Sequence, residues 1–345
     1  MEGSLLSPAP PITRKTFCIA GILVTVFGLE ELSQSARRIA CLWLLHPRLQ
    51  TQECMGPLAA ACLDHWNHHE QSQEIGLVAV TFDQRNHGTR EVDPLSNEAW
   101  RSGNKQHAQD MFSIYHGTSA DTSLLMTYLS SYIFPCSNRE IVSNLVLGVS
   151  LGGHAAWHCL FHDPRVSTAI VVIGCPDYIS LMSDRARLSK LPSWTKSSPP
   201  GVHFLGSPDF PAELLKAVGT HDPAAMLLGK PDRPVRQMIE GLPSVTEQAN
   251  LIPLLKRTVE GKRILNLSGA DDKLVPYKCG QAFVEYLKSA IAPGSWFSGG
   301  LYLEDLQFDG VGHQMSPAMV QQAFRFVADT LQKAEAATAP GASKI

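Results

Sequence analysis

Ser150 sits in Gly148-Val149-Ser150-Leu151-Gly152-Gly153-His154, a G-x-S-x-G pentapeptide placed where the apolar run 144–149 stops and a helical pattern begins. That placement suits acyl-transfer chemistry. A sharp strand-to-helix turn holds a serine in strained dihedrals and pushes its Oγ outward, while glycines two positions before and after let strand and helix approach where a Cβ would clash. A helix opening at Leu151 would aim its first N–H groups at the place where negative charge develops.

A serine hydroxyl is a weak nucleophile at neutral pH, so it needs a base, and the base needs a group to orient it. His313, in Asp309-Gly310-Val311-Gly312-His313-Gln314, follows the strand-like run 301–306. It precedes Ser316-Pro317, a fitting N-cap and first-turn pair for a last helix. A histidine on such a loop can swing over the sheet edge. Asp272, in Gly269-Ala270-Asp271-Asp272-Lys273-Leu274-Val275-Pro276, follows the run 263–267 and could hold the imidazole in the right tautomer. Asp271 beside it, and Asp177 after the run 168–173, compete for that role. His154, one turn beyond Ser150, is expected to pack on its helix.

Ser150, Asp272 and His313, in that order and each after a strand-like run, resemble the α/β-hydrolase superfamily, whose triad runs nucleophile, acid, histidine. The resemblance covers residues 19–332. Thr81-Phe82-Asp83-Gln84-Arg85-Asn86-His87-Gly88 is similar to the D-x-R-x-H-G loop after the fourth strand of many members, and Arg85 and His87 are expected to stabilise it. Leu44-Leu45-His46-Pro47-Arg48 takes the place of the His-Gly oxyanion loop, but Pro47 stands at the glycine and has no N–H to donate. The resemblance then implies Arg48 as second oxyanion donor beside Leu151, although the Arg48 side chain could instead bind a substrate carboxylate. It also favours Asp272 over its competitors, because members place the acid three residues after a glycine and four before a proline.

The implied activity is that of a serine hydrolase on an ester or thioester, through an acyl-enzyme that needs no metal or organic cofactor. Acyl transfer to an alcohol, or ligand binding without turnover, are the alternatives on the same residues. Ser343-Lys344-Ile345 is close to the peroxisomal address S-K-L, which an import receptor reads at a free carboxyl terminus. With it, the chain resembles fungal peroxisomal hydrolases of AK- and AF-type host-selective toxin biosynthesis. That resemblance implies a peroxisomal setting, with the cytoplasm as the alternative.

These residues need a scaffold, and the chain alternates two patterns that would build one. Apolar runs at 21–29, 39–45, 76–82, 144–149, 168–173, 263–267 and 301–306 have the length and branched content of buried strands. Helical patterns at 57–66, 124–133, 152–161, 279–287 and 317–331 lie between or after them. The alternation predicts an α/β fold, a mostly parallel sheet covered by helices on both faces. Residues 178–260 break the rhythm with ten prolines and only short helical patches, at 212–218 and 223–228. They are expected to form an inserted cap or lid, between a first part of the core at 1–177 and a second at 261–345 that carries the tail.

Composition narrows the classes further. With 44% hydrophobic residues and 29 basic against 32 acidic ones, net charge −3, the chain has the makings of a core and no basic footprint for nucleic acid. Its apolar runs fall far short of the roughly 20 residues that span a bilayer. The N-terminal residues have an early acid and three prolines where a secretory signal needs a basic start and an apolar run. Eight cysteines without a C-x-x-C pair are expected to be reduced, buried thiols of an intracellular protein. His65, His68 and His69 superficially suggest a metal site, but are expected to cap a helix end.

Overall fold

The computed structural model describes residues 11–136, 138–228 and 243–336. Among them eight strands form one sheet, in the order β1-β2-β4-β3-β5-β6-β7-β8. The strands are β1 (Arg14–Ile19), β2 (Ile22–Phe27), β3 (Arg38–Leu45), β4 (Ile75–Phe82), β5 (Glu140–Val149), β6 (Val166–Val172), β7 (Arg263–Gly269) and β8 (Tyr302–Phe308). β2 runs antiparallel to β1 and β4, and every other pairing is parallel. The β1–β2 hairpin turns through Ala20 and Gly21, both at positive φ, as a two-residue loop matched to strand twist requires. β1 is the strand the apolar runs miss. It is an edge strand whose residues 14–16 and 18 face solvent, so it lacks the continuous apolar signature of β3 and β4.

Helices cover both faces. α1 (Gly56–Asn67) and α10 (Pro317–Ala336) bury Leu63, Trp66, Val320, Phe324 and Val327 against one side. α2 (His107–Ile133), α3 (Leu151–His162) and α9 (Tyr277–Ile291) pack Tyr115, Leu125, Trp157 and Phe283 on the other. α2 is 27 residues long, where the apolar stripe predicts only its last third. Its earlier turns bury Thr118, Asp121 and Thr122, which a hydrophobic pattern cannot register.

Residues 178–260 are more helical than the sequence predicts. Besides the expected α6 (Ala212–His221) and α7 (Pro223–Leu228), they hold α4 (Tyr178–Leu188), the short α5 (Pro192–Thr195) and α8 (Val245–Val259). α8 starts with a reciprocal Ser244–Glu247 capping box and carries Pro253 in its interior, which disguises it as irregular chain. Phe204, Phe210, Leu214 and Val218 of this segment join the core that α2 and α3 build. The expectation of buried thiols holds for five cysteines and fails for Cys18, Cys54 and Cys136, which are exposed; all eight are free thiols. No helix of the described residues is long and apolar enough to cross a membrane.

Candidate active site

The parallel strands β5, β7 and β8 end on the same side of the sheet, and each delivers one side chain to a common point. Ser150 caps α3 at φ 56° and ψ −110°, a strained conformation that bends the chain directly from β5 into the helix. The turn exists because its neighbours are glycines. A Cβ at Gly148 would lie 1.9 Å from the Gly152 carbonyl oxygen, and one at Gly152 would lie 2.1 Å from that of Leu45.

Ser150 Oγ is 2.8 Å from His313 Nε2, and His313 Nδ1 is 2.8 Å from Asp272 Oδ2. The loops bearing the histidine and the acid are stitched together. The Asp271 N–H donates to Val311 O at 3.0 Å and the Ala270 N–H to Phe308 O at 2.9 Å. Gly269 permits this contact, since a Cβ there would stand 2.3 Å from Val311 O. Ser316 Oγ accepts the Met319 N–H and opens α10 just beyond His313, as its sequence position predicts.

Asp272 is buried, and its second oxygen accepts N–H groups from Leu274 and Val275 at 2.8 and 2.9 Å. Burial alone would raise its pKa. The His313 hydrogen bond and the two main-chain donors together outweigh burial and hold the carboxyl below its ordinary value. Neither competitor reaches the histidine. Asp271 faces solvent, while Asp177 caps α4, accepting from Ser180 N at 2.9 Å and Ser180 Oγ at 2.6 Å. Burial pushes Asp177 up to about 6. His154 is buried with Nδ1 against the Cys175 main chain.

The residues around the serine are braced. Asp83 accepts from Gln52 N, Thr89 N and Thr89 Oγ1, and Arg85 makes a two-pronged pair with Asp121 at 2.9 Å on each arm. The Gln84 N–H donates to His46 Nε2 at 2.9 Å, and the Gln84 side-chain amide donates to His46 O. The His46-Pro47-Arg48 loop is thereby clamped, and the close approach of Leu45 and His46 to Gly152 sets it against the first turn of α3. The Leu151 and Arg48 main-chain N–H groups donate to no acceptor among the described residues.

Two arginines stand over this region without a carboxylate partner among the described residues. Arg48 Nη1 donates to Asn97 O at 2.5 Å. Arg185, on α4, donates through Nη2 to Leu274 O at 3.1 Å, two residues past Asp272, and sets Nη1 3.3 Å from His107 Nε2. Burial first, and then the charge of Arg48, lower the pKa of Arg185. Burial likewise lowers that of Arg48, which Glu98 counteracts. Arg185 and His107 carry no sequence signal. One lies in a segment that reads as irregular and the other on the polar start of α2.

His65 and His69 stack with Phe324 and Trp66 at the end of α1, and His68 contacts the Asp64 carbonyl oxygen through Nδ1. They do not converge as a group of metal ligands among the described residues. Ser343, Lys344 and Ile345 lie outside the described residues.

No protein-family model matches the chain, and no curated protein matches it. Solved structures do. TT1662 from Thermus thermophilus is 17% identical with a TM-score of 0.55, over 93% of this chain and 99% of that one. A puromycin-hydrolyzing peptidase of Mycobacterium tuberculosis is 12% identical with a TM-score of 0.54, over 96% of this chain. This chain spans only 40% of that peptidase. At such identities the likeness is one of fold, and the fold is the α/β-hydrolase fold.

Proposed function

We propose that the protein is a serine hydrolase that cleaves an ester or thioester through an acyl-enzyme. One observation carries the reading: a hydroxyl, an imidazole and a buried, ionised carboxylate are linked in series at 2.8 Å each, with the hydroxyl held at a strained helix N-terminus. Ser150 Oγ attacks the carbonyl carbon as its proton passes to His313 Nε2, and Asp272 steadies the imidazolium through Nδ1. The oxyanion develops in front of the Leu151 and Arg48 N–H groups, at the positive end of α3. His313 then hands the proton to the departing alcohol or thiol. A water, deprotonated by the same histidine, releases the acid and restores the serine.

The guanidinium groups of Arg48 and Arg185 favour an acyl or leaving group that carries negative charge, such as a carboxylate or the phosphates of a CoA thioester. The wider setting, toxin biosynthesis in peroxisomes, is supported by the sequence resemblance and by Ser343-Lys344-Ile345.

A fluorophosphonate probe with peptide mapping, run beside a panel of oxygen esters and acyl-CoA thioesters, tests the reading. It is expected to label Ser150 and to be blocked by whichever substrate turns over. Failure to react, or labelling of another serine, would overturn it.

A further inference from the structure

Four of the 13 histidines meet away from Ser150, where α2, α3 and α6 come together. His116 of α2 and His158 and His162 of α3 each bring one ring nitrogen within 4.8 Å of the other two, and no other such trio occurs among the described residues. His158 and His162 are four residues apart on one helix, so they project from the same face. His221, the last residue of α6, lays its ring 4.2 Å from that of His116.

The geometry suits a metal better than a set of ring-to-ring hydrogen bonds. His116 Nδ1 and His158 Nδ1 are 3.4 Å apart, long for an N–H···N bond. Two nitrogens bound to one tetrahedral ion at about 2.0–2.1 Å would stand about 3.3–3.4 Å apart. His162 Nε2 donates to the His221 carbonyl oxygen at 2.7 Å, which fixes that tautomer and leaves the Nδ1 lone pair bare. Ligating histidines are commonly oriented by such a bond.

His158 is the telling member. It is buried, and its Nε2 has no partner among the described residues, so its polar atoms serve nothing except the contact with His116. An apolar side chain would fill that space without the cost of burying an unpaired nitrogen. Burial first, and then the neighbouring histidines, lower the pKa of both His116 and His158. Of the nearby cations, Arg85 is engaged with Asp121 and Lys262 with the carbonyl oxygens of Leu160 and Asp163, while the charge of Arg257 acts on the exposed member, His162. His162 is exposed, which gives an ion a way in.

We infer that His116, His158 and His162 bind one divalent first-row transition-metal ion, with zinc the best fit to three imidazoles, and that His221 closes its open side. No carboxylate belongs to the trio, which argues against calcium or magnesium. His158 lies eight residues along α3 from Ser150, about 12 Å of helix rise, so the ion would be remote from the acyl chemistry. It would fasten α6, of the segment 178–260, to the two helices that carry the core.

The test is calorimetric titration of the chelator-stripped full chain with ZnCl₂, followed by thermal melts with and without the ion. One equivalent is expected to bind with micromolar affinity or better and to raise Tm. His162→Ala, at an exposed position, and His116→Gln should each weaken binding about 10²-fold or more and abolish the rise, with circular dichroism confirming their folds. His65→Ala should bind as the parent does, and so should Ser150→Ala, whether or not the hydrolase reading holds. Absence of a site tighter than about 100 µM, unchanged affinity in both cluster variants, or loss of binding in His65→Ala would each overturn the assignment.

Discussion

Asp177 and Asp272 invite comparison, because both are buried carboxylates just past the ends of adjacent parallel strands, β6 and β7. Burial pulls both toward the neutral form. Asp272 escapes through a histidine and two N–H groups, which hold its carboxyl below the ordinary value. Asp177 has no imidazole, just the N–H and hydroxyl of Ser180 and the Ile179 main chain, is pushed up to about 6, and spends its oxygens opening α4. Position at the end of a strand is therefore not enough to make an orienting acid. What separates the two is the loop on the far side: the turn after β8 is pinned to Gly269–Asp271 and carries His313 to Asp272, whereas the imidazole that reaches the end of β6, His154, spends its Nδ1 on the Cys175 main chain.

The strongest way to break this comparison is to remove what Asp272 serves. Ser150→Ala should lower kcat by about 10³-fold or more, since only oxyanion and binding contributions survive the loss of the nucleophile. Circular dichroism should match the parent. Retention of even a tenth of the activity would show that the hydroxyl held by His313 is not the attacking group. Asp272→Asn should follow closely, at about 10²–10⁴-fold, because an amide favours the wrong tautomer and cannot steady the imidazolium. The companion Asp177→Asn should turn over within a factor of about two of the parent, and a reversal of these two outcomes would move the acid from β7 to β6.

A smaller effect sharpens the contrast between the two strand ends, because Arg185 of α4 reaches across from the segment that Asp177 opens to the Leu274 carbonyl oxygen. Arg185→Gln should raise KM about tenfold for anionic acyl substrates and far less for a neutral ester of the same chain length, through loss of a charge-assisted contact. Equal effects on both substrates would assign Arg185 to packing the loop of Asp272. Arg48→Gln keeps its main-chain N–H, so a charge-selective rise in KM there, with kcat held, would separate the side chain from the oxyanion donor.

The legibility of these parts in the sequence follows from how local their physics is. The serine turn, the acid loop and the histidine loop each announce themselves within eight residues, since glycines, a proline and strand ends encode the bends directly. Seven strands are legible for the same reason, while β1 is hidden by its solvent-facing residues. α8 is hidden by Pro253 and the start of α2 by buried threonines and Asp121. Arg185 and His116 have no local signature, and the four-residue spacing of His158 and His162 names no third ligand. Their meaning arises from helices that meet only after folding, with His116 and His158 lying 42 positions apart in the chain.

The last prediction concerns stability, where Asp177 should show the cost of lacking a partner. Its folded pKa, about 6, lies above the ordinary carboxylate value of 3.8. The folded state therefore binds its proton more tightly than the unfolded state does, and the parent should lose stability as pH rises from about 4 to 6. A carboxyl raised that far on folding costs at most about 3 kcal/mol once it is ionised. Asn is as good an N-cap as Asp and carries no charge to bury. It also relieves Asp222, a buried carboxylate whose pKa is raised by burial and then by Asp177. Asp177→Asn should thus be more stable than the parent at pH 8, by up to about 3 kcal/mol in urea denaturation, with the gap closing as pH falls toward 4. A variant equally destabilised at both pH values would mean that the two Ser180 hydrogen bonds, and not the buried charge, dominate at this strand end.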